Sequence, residues 1–257
     1  MTKETPTEER RLALVTGVSR RRGIGAAIAL HLARDGWNVA TTSWRPYDGS
    51  MPWGSDPADI DWLQEQLAAH GARTTAVEAD LSLIETPTRI YDAVEQAIGP
   101  VTALVLSHCH GVGTDILETT AASFDLHFAV NARASWLLVR EFGRRFRTTR
   151  GRGRIIALTS NDVAGNLPYG ASKGALDRIV LAAAREFRGL GITANVINPG
   201  PTDTGWMSAQ QIEAFSRQAF GGRVGVPEDC ANLVRFLCSV EGGWINGQLL
   251  HSDGGFL

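Results

Sequence analysis

Leu12-Ala-Leu-Val-Thr-Gly-Val-Ser-Arg-Arg-Arg-Gly-Ile-Gly-Ala-Ala-Ile-Ala-Leu-His-Leu-Ala33 reads as three consecutive kinds of backbone. Leu12 to Thr16 is a short, continuously apolar run, the pattern of a strand buried on both faces. Thr16 to Gly25 is a glycine-punctuated turn, and from Ile24 to Ala33 the apolar residues recur at helical spacing. A second apolar run, Trp37 to Thr42, follows directly, so the unit is strand, helix, strand. A glycine loop between a buried strand and a helix is where a phosphate site belongs. Glycines let the backbone approach the anion, and the helix N-terminus offers unpaired N–H groups and a partial positive charge. The general G-x-G-x-x-G fingerprint is not met, so a loop that merely turns the chain remains an alternative.

The alternation continues to the end of the chain. Helices are expected near Pro57 to His70, Pro87 to Ile98, Ala121 to Phe128, Ala132 to Phe146, Tyr169 to Arg188 and Pro227 to Cys238. Strands are expected at Thr74 to Val77, Val101 to Ser107, Arg154 to Thr159, Thr193 to Ile197 and Gln248 to His251. The fold class this predicts is α/β: a single-domain Rossmann-type doubly wound parallel sheet of about seven strands, with helices on both faces. Residues 1–10 are expected to be a disordered tail and residues 11–257 the domain, since no composition break divides the chain. Arg45 to Gly54 is long for a loop after the second strand and falls near the adenosine end of any bound dinucleotide.

A length of 257 residues suits one α/β domain. The net charge of -2 gives no footprint for nucleic acid or an acidic membrane. The polar start lacks a secretory core, and no apolar run approaches the ~18 residues of a membrane span. Cys109, Cys230 and Cys238 are too few and odd in number for a disulfide framework, so a cytoplasmic protein with a small-molecule partner is expected.

Chemistry concentrates at Tyr169-Gly-Ala-Ser-Lys173. A phenol and an ammonium four residues apart share one helix face. A phenol with a pKa of about 10 gains acidity from a nearby cation, which makes the pair a candidate proton donor.

With Thr16, Gly17, Gly23, Ile24 and Gly25 in front and Ser160, Tyr169 and Lys173 behind, the chain resembles the short-chain dehydrogenase/reductase family, in particular its 3-oxoacyl-carrier-protein reductase-like members. The resemblance runs from Leu12 to the end and includes Asp80 in Glu78-Ala-Asp-Leu81, Asn131 in Val130-Asn-Ala-Arg-Ala134, Asn198-Pro-Gly-Pro-Thr-Asp-Thr204 and Ser252-Asp-Gly-Gly255. It implies hydride transfer between a nicotinamide and a carbonyl, with Asn131, Ser160, Tyr169 and Lys173 catalytic. Tyr169 would give the proton, Lys173 would acidify it and hold the ribose, Ser160 would steady the oxygen, and Asn131 would hold a water. It places Gly17, Ser19, Arg20, Arg22, Gly23, Ile24, Arg45, Asp80, Leu81, Ser107, Gly111, Pro199, Gly200, Thr202 and Thr204 around the cofactor, with Asn131, Tyr169 and Lys173. Taken singly, Ser160 is also a strand-end turn residue, Asn131 and Thr204 helix caps, and Asp80 a turn former.

Three departures stand out. Five residues separate Gly17 from Gly23 where the family has three, the usual N-N-A-G reads His108-Cys-His-Gly111, and the gap from Ser160 to Tyr169 is nine residues, about four short of the family's usual spacing. The replaced motif and short loop leave open a non-catalytic nucleotide-binding regulatory protein.

Charge bears on the cofactor. After the second strand come Ser43-Trp-Arg45, with Arg20, Arg21 and Arg22 in the adjacent loop and no acid before Asp48. That favours NADP(H) over NAD(H), the alternatives being solvated arginines and an NAD-linked alcohol or sugar dehydrogenase. His108, Cys109 and His110 are potential ligands on an extended segment that point to opposite faces, so no metal is expected. Trp206 to Phe220 is a lid candidate or a core or subunit contact. The arginines from Arg144 to Arg154 form a solvated helix end or a dock for an acidic carrier protein. The helix pair Ala132 to Phe146 and Tyr169 to Arg188, with small residues Gly170, Ala171, Gly174 and Ala175, resembles the family's dimer interface and implies a homotetramer or homodimer.

Overall fold

A computed structural model of the protein describes residues 10–256. Seven parallel strands form one sheet: β1 (Leu12–Val15), β2 (Asn38–Ser43), β3 (Thr74–Glu78), β4 (Ala103–Leu106), β5 (Gly153–Leu158), β6 (Ile192–Asn198) and β7 (Leu249–His251). Their spatial order is β3-β2-β1-β4-β5-β6-β7. Strand order reverses direction between β1 and β4, and the crevice outside the carboxyl ends of the strands at that switch point is where such sheets bind ligands.

The helices are α1 (Ile24–Arg34), α2 (Arg45–Ser50), α3 (Pro57–Ala69), α4 (Thr86–Ala97), α5 (Ala121–His127), α6 (Ala134–Arg145), α7 (Leu167–Glu186), α8 (Ala209–Gln218) and α9 (Pro227–Cys238). They cover both faces because side chains of a strand alternate. Leu12 and Leu14 join Tyr91, Leu138, Phe142 and Val180 in one core, while Ala13 and Val15 join Ile28, Leu32, Leu67 and Val234 in the other. Burial on both sides is why the strands are continuously apolar; each fully buried leucine contributes about 2 kcal/mol.

The structure departs from the sequence reading in local ways. Residues 45–54 are not all loop, because α2 forms with Pro46 in its first turn, where a missing N–H costs nothing. The two helices expected from Ala121 to Phe146 are one helical run, joined by a π-helical stretch, Phe128–Arg133, that carries Asn131. Such widened turns re-aim a side chain and recur at functional sites. Residues 1–9 of the expected tail lie outside the described residues; Arg10 donates from Nη1 to His70 O at 3.3 Å. Among the described residues no helix is long and apolar enough to cross a membrane.

The short loop after β5 folds directly onto α7. A Cβ built at Gly170 would lie 2.0 Å from Asp162 O, and Gly170 N donates to Asn166 O at 3.0 Å. Gly170 thus serves the chain's own loop, a different use from the helix-to-helix contact the sequence suggested.

Candidate active site

α7 places Tyr169 and Lys173 one turn apart beside the end of β5. Lys173 is buried, and its Nζ donates to Leu158 O at 2.8 Å and lies 5.7 Å from the centroid of the Tyr169 ring. Ser160 lies close enough to the Tyr169 hydroxyl to lower its pKa, and Ser160 Oγ accepts from Asp162 N at 3.2 Å. Three of the four expected catalytic side chains therefore meet at one place.

The electrostatics run against one expectation. Burial is the largest influence on the Tyr169 phenol and pushes it well up, reinforced by Cys109, Asp162 and Tyr47, while Ser160 pulls it down. Burial of the phenol outweighs the influences that would make it more acidic, and burial also lowers the pKa of the Lys173 ammonium, which donates to a carbonyl. Tyr169 stands as the protonated phenol at neutral pH, the form able to give a proton.

Asn131 is fully buried, with its side chain bonded within the protein. Its Oδ1 accepts from His110 N at 2.7 Å, and its Nδ2 donates to His110 O at 2.9 Å and to Ser172 Oγ at 2.9 Å. Both amide protons are used, so the side chain clamps the segment after β4 to α7.

That segment holds the replaced motif. His108 is buried, with Nδ1 2.7 Å from Thr16 Oγ1 and Nε2 3.1 Å from Val130 O. Both ring nitrogens are engaged, so His108 pins the end of β4 to the end of β1. Burial, aided by the Lys173 charge, lowers its pKa to about 3. His110 is half-buried, its ring centroid 4.5 Å from that of His127, and burial followed by His127 lowers it to about 4. Cys109 is exposed.

The glycine loop fits a dinucleotide on two observations. Gly17 has φ +73°, and a Cβ there would come within 2.5 Å of His108 Cα, so only glycine allows the loop this close to β4. α1 begins after Gly23 with no side-chain cap, which leaves its first N–H groups for an anion. Ser107 lies behind the loop: its Oγ is 3.3 Å from a Cβ built at Gly25. Asp80 Oδ1 accepts from Ser82 N at 2.8 Å, and the Leu81 side chain packs in the core, so Leu81 offers only main chain to a ligand. After β6, Thr202 Oγ1 donates to Pro199 O at 3.2 Å and Gly200 N donates to Asn198 Oδ1 at 3.0 Å, which shapes the turn that ends at buried Thr204.

The arginines are not an open cationic cluster. Arg20 Nε lies 3.7 Å from Asp48 Oδ1 and its Nη1 donates to Thr204 O at 3.1 Å, so Arg20 ties the loop to the segments beside it. Arg21 pairs with Asp59, Arg22 Nη2 lies 3.5 Å from Asp203 Oδ2, and Arg45 Nε donates to Glu78 Oε2 at 2.9 Å. Each cation has an acid from a distant part of the chain. The second arginine-rich stretch is likewise engaged internally. Arg145 bonds Asp92 at 2.7 Å, Glu95 at 3.0 Å and Glu141 at 3.2 Å, Arg150 donates to Arg188 O and Gly189 O, and Arg154 is buried against Leu237 O and Ser239 O.

Sequence reasoning missed two residues in α2. Tyr47 Oη accepts from Gly111 N at 3.2 Å and donates to Gly111 O at 3.3 Å, which brings its phenol beside the Tyr169 ring. Asp48 is buried and accepts from Ser19 Oγ at 2.5 Å and Trp53 Nε1 at 2.8 Å. The available signal was composition: Trp44, Tyr47 and Trp53 are too aromatic for a solvated loop.

A family model described as enoyl-(acyl carrier protein) reductase matches residues 17–257. An uncharacterized oxidoreductase of Bacillus subtilis, YjdA, is 36% identical over 97% of this chain and 98% of its own length. A chloroplastic NADPH-dependent aldehyde reductase-like protein of Arabidopsis thaliana is 34% identical over 96% of this chain and 94% of its own. Among solved structures, a short-chain dehydrogenase of Burkholderia cenocepacia in complex with NADP superposes with a TM-score of 0.84 at 32% identity, covering 96% of this chain and 97% of that one.

Proposed function

The chain belongs to the short-chain dehydrogenase/reductase family of NAD(P)-dependent oxidoreductases, and from that premise we propose that it reduces a small ketone to a secondary alcohol with NADPH, Tyr169 being the proton donor. The observation that carries this reading is the meeting of Ser160, Tyr169 and Lys173 at the end of β5, in a sheet whose first helix starts uncapped. When bound, the reduced nicotinamide supplies the hydride to the carbonyl carbon. As the C=O π bond breaks, Tyr169 Oη passes its proton to the oxygen, which prevents build-up of alkoxide charge. Ser160 steadies the same oxygen by a hydrogen bond. Lys173 keeps two N–H donors beyond the one given to Leu158 O, and these would hold the nucleotide ribose.

NADPH is favoured because Asp48, the sole acid between Trp44 and Gly54, is turned inward on Ser19, Arg20 and Trp53 and is not offered to a ribose 2′-hydroxyl. Arg45, exposed at the end of β2, remains near that position. The NADP bound to the Burkholderia cenocepacia neighbour and the NADPH dependence of the Arabidopsis thaliana relative support the same choice. A free 3-oxoacyl thioester is the first substrate class to try. The family description supports an acyl substrate, and Trp206, 56% exposed beyond Thr204, offers apolar cover. A homodimer or homotetramer through α6 and α7 is part of the proposal, supported by half-exposed Trp136 beside a groove of about 550 Å³ lined by Phe128, Arg133 and Ile179. Three free cysteines suit a reducing, cytoplasmic setting.

The test is oxidation of NADPH and of NADH with a panel of 3-oxo thioesters, simple ketones and sugars, using Tyr169→Phe as the control. The variant should lose about 10²- to 10⁴-fold in kcat while still binding nucleotide. Turnover at the wild-type rate in the variant would remove Tyr169 from the chemistry.

A further inference from the structure

Residues 44–54 start at the end of β2, yet Tyr47 reaches Gly111 after β4. In the order β3-β2-β1-β4 the segment therefore passes over the end of β1, across the mouth of the crevice. It is fastened on two sides. On one, the Tyr47 hydroxyl takes both main-chain groups of Gly111, and its ring centroid lies 5.2 Å from that of His110. On the other, Asp48 holds Ser19, Arg20 and Trp53, while Trp53 lies 6.2 Å from Trp206 and Arg20 bonds Thr204 O. The glycine loop, the segment after β4 and the turn before α8 are thus strapped together by one short stretch.

A dinucleotide with its pyrophosphate at the start of α1 and its nicotinamide beside Tyr169 must run along the line this strap crosses. We propose that Tyr47 is a latch: its bonds to Gly111 hold the strap shut across the crevice, and nucleotide binding requires their release. This inference rests on the dinucleotide reading above. A protein whose binding-competent form is a fraction of the whole binds with an affinity reduced by that fraction. Loosening the latch therefore tightens apparent binding.

The experiment measures NADPH affinity by calorimetry for the wild type, Tyr47→Phe and Trp53→Phe, the last loosening the strap without touching Gly111. It is paired with hydrogen exchange of residues 44–54 in the wild type. Tyr47→Phe should bind NADPH about 3- to 10-fold more tightly, with Trp53→Phe shifted in the same direction, and NADPH should raise exchange in the strap. Equal or weaker binding by either variant, or a fall in exchange on adding NADPH, would overturn the latch and make the strap a cover that closes on its ligand. Absence of NADPH binding by all three proteins would instead overturn the dinucleotide reading, and the latch with it.

Discussion

Replacing His108 with asparagine should change how stability depends on acid. The imidazole is buried and neutral, bonded to Thr16 and Val130, and its pKa is lowered to about 3. In the unfolded chain a histidine titrates near 6.5, so between those values the unfolded state binds a proton that the folded state refuses. The folded pKa being the lower one, this contribution is whole above about pH 6.5 and is lost as pH falls toward 3. From about pH 7 to about pH 5 one such group removes about 2 kcal/mol, at 1.36 kcal/mol for each pH unit once the unfolded histidine is protonated. Carboxylates titrate as well, but they are shared by both proteins and cancel in the difference. Urea unfolding of wild type and His108→Asn at the two pH values should therefore give stabilities that differ by about 2 kcal/mol less at the lower pH, in the direction that favours the variant. Parallel loss of stability in the two proteins would refute the claim that His108 is buried uncharged.

Two further outcomes concern the residues around Tyr169. Lys173→Met removes a buried ammonium at the cost of one bond to Leu158 O, so thermal unfolding should show a gain of about 1–3 kcal/mol while carbonyl reduction is lost. Because burial lowers the lysine's folded pKa, that gain should shrink as pH rises from neutrality toward the unfolded value of about 10.4, and a gain that grows with pH would contradict it. Gly170→Ala forces a Cβ to within 2.0 Å of Asp162 O, so the loop carrying Ser160 must shift. Denaturant titration should register a loss of about 1–3 kcal/mol, and kcat should fall while NADPH affinity holds; an unchanged kcat would show that the loop does not set the Ser160 position.

Much of the fold was legible because burial on both sheet faces writes itself as unbroken apolar runs, as in Val101 to Ser107 and Arg154 to Thr159. The Tyr169–Lys173 pair was legible because helical spacing alone puts both on one face. What stayed hidden depended on contacts remote in sequence. Arg20 looked free until Asp48 was brought to it by α2, whose Pro46, Gly49 and Ser50 read as loop. That the Asn131 amide meets His110 and Ser172 is visible only in the fold. The direction of the Tyr169 shift was misjudged because the spacing to Lys173 is visible in the sequence and the depth of burial is not.

The most direct measurement uses NADPH carrying two deuterium atoms at the reactive nicotinamide carbon, mixed with the protein and a 3-oxo thioester, with the alcohol product analysed by mass spectrometry. Product one mass unit heavier, formed by the wild type and strongly diminished with Tyr169→Phe, is the predicted result. Alcohol formed without the label, or label transferred equally well by the variant, would contradict hydride delivery to a carbonyl protonated by Tyr169.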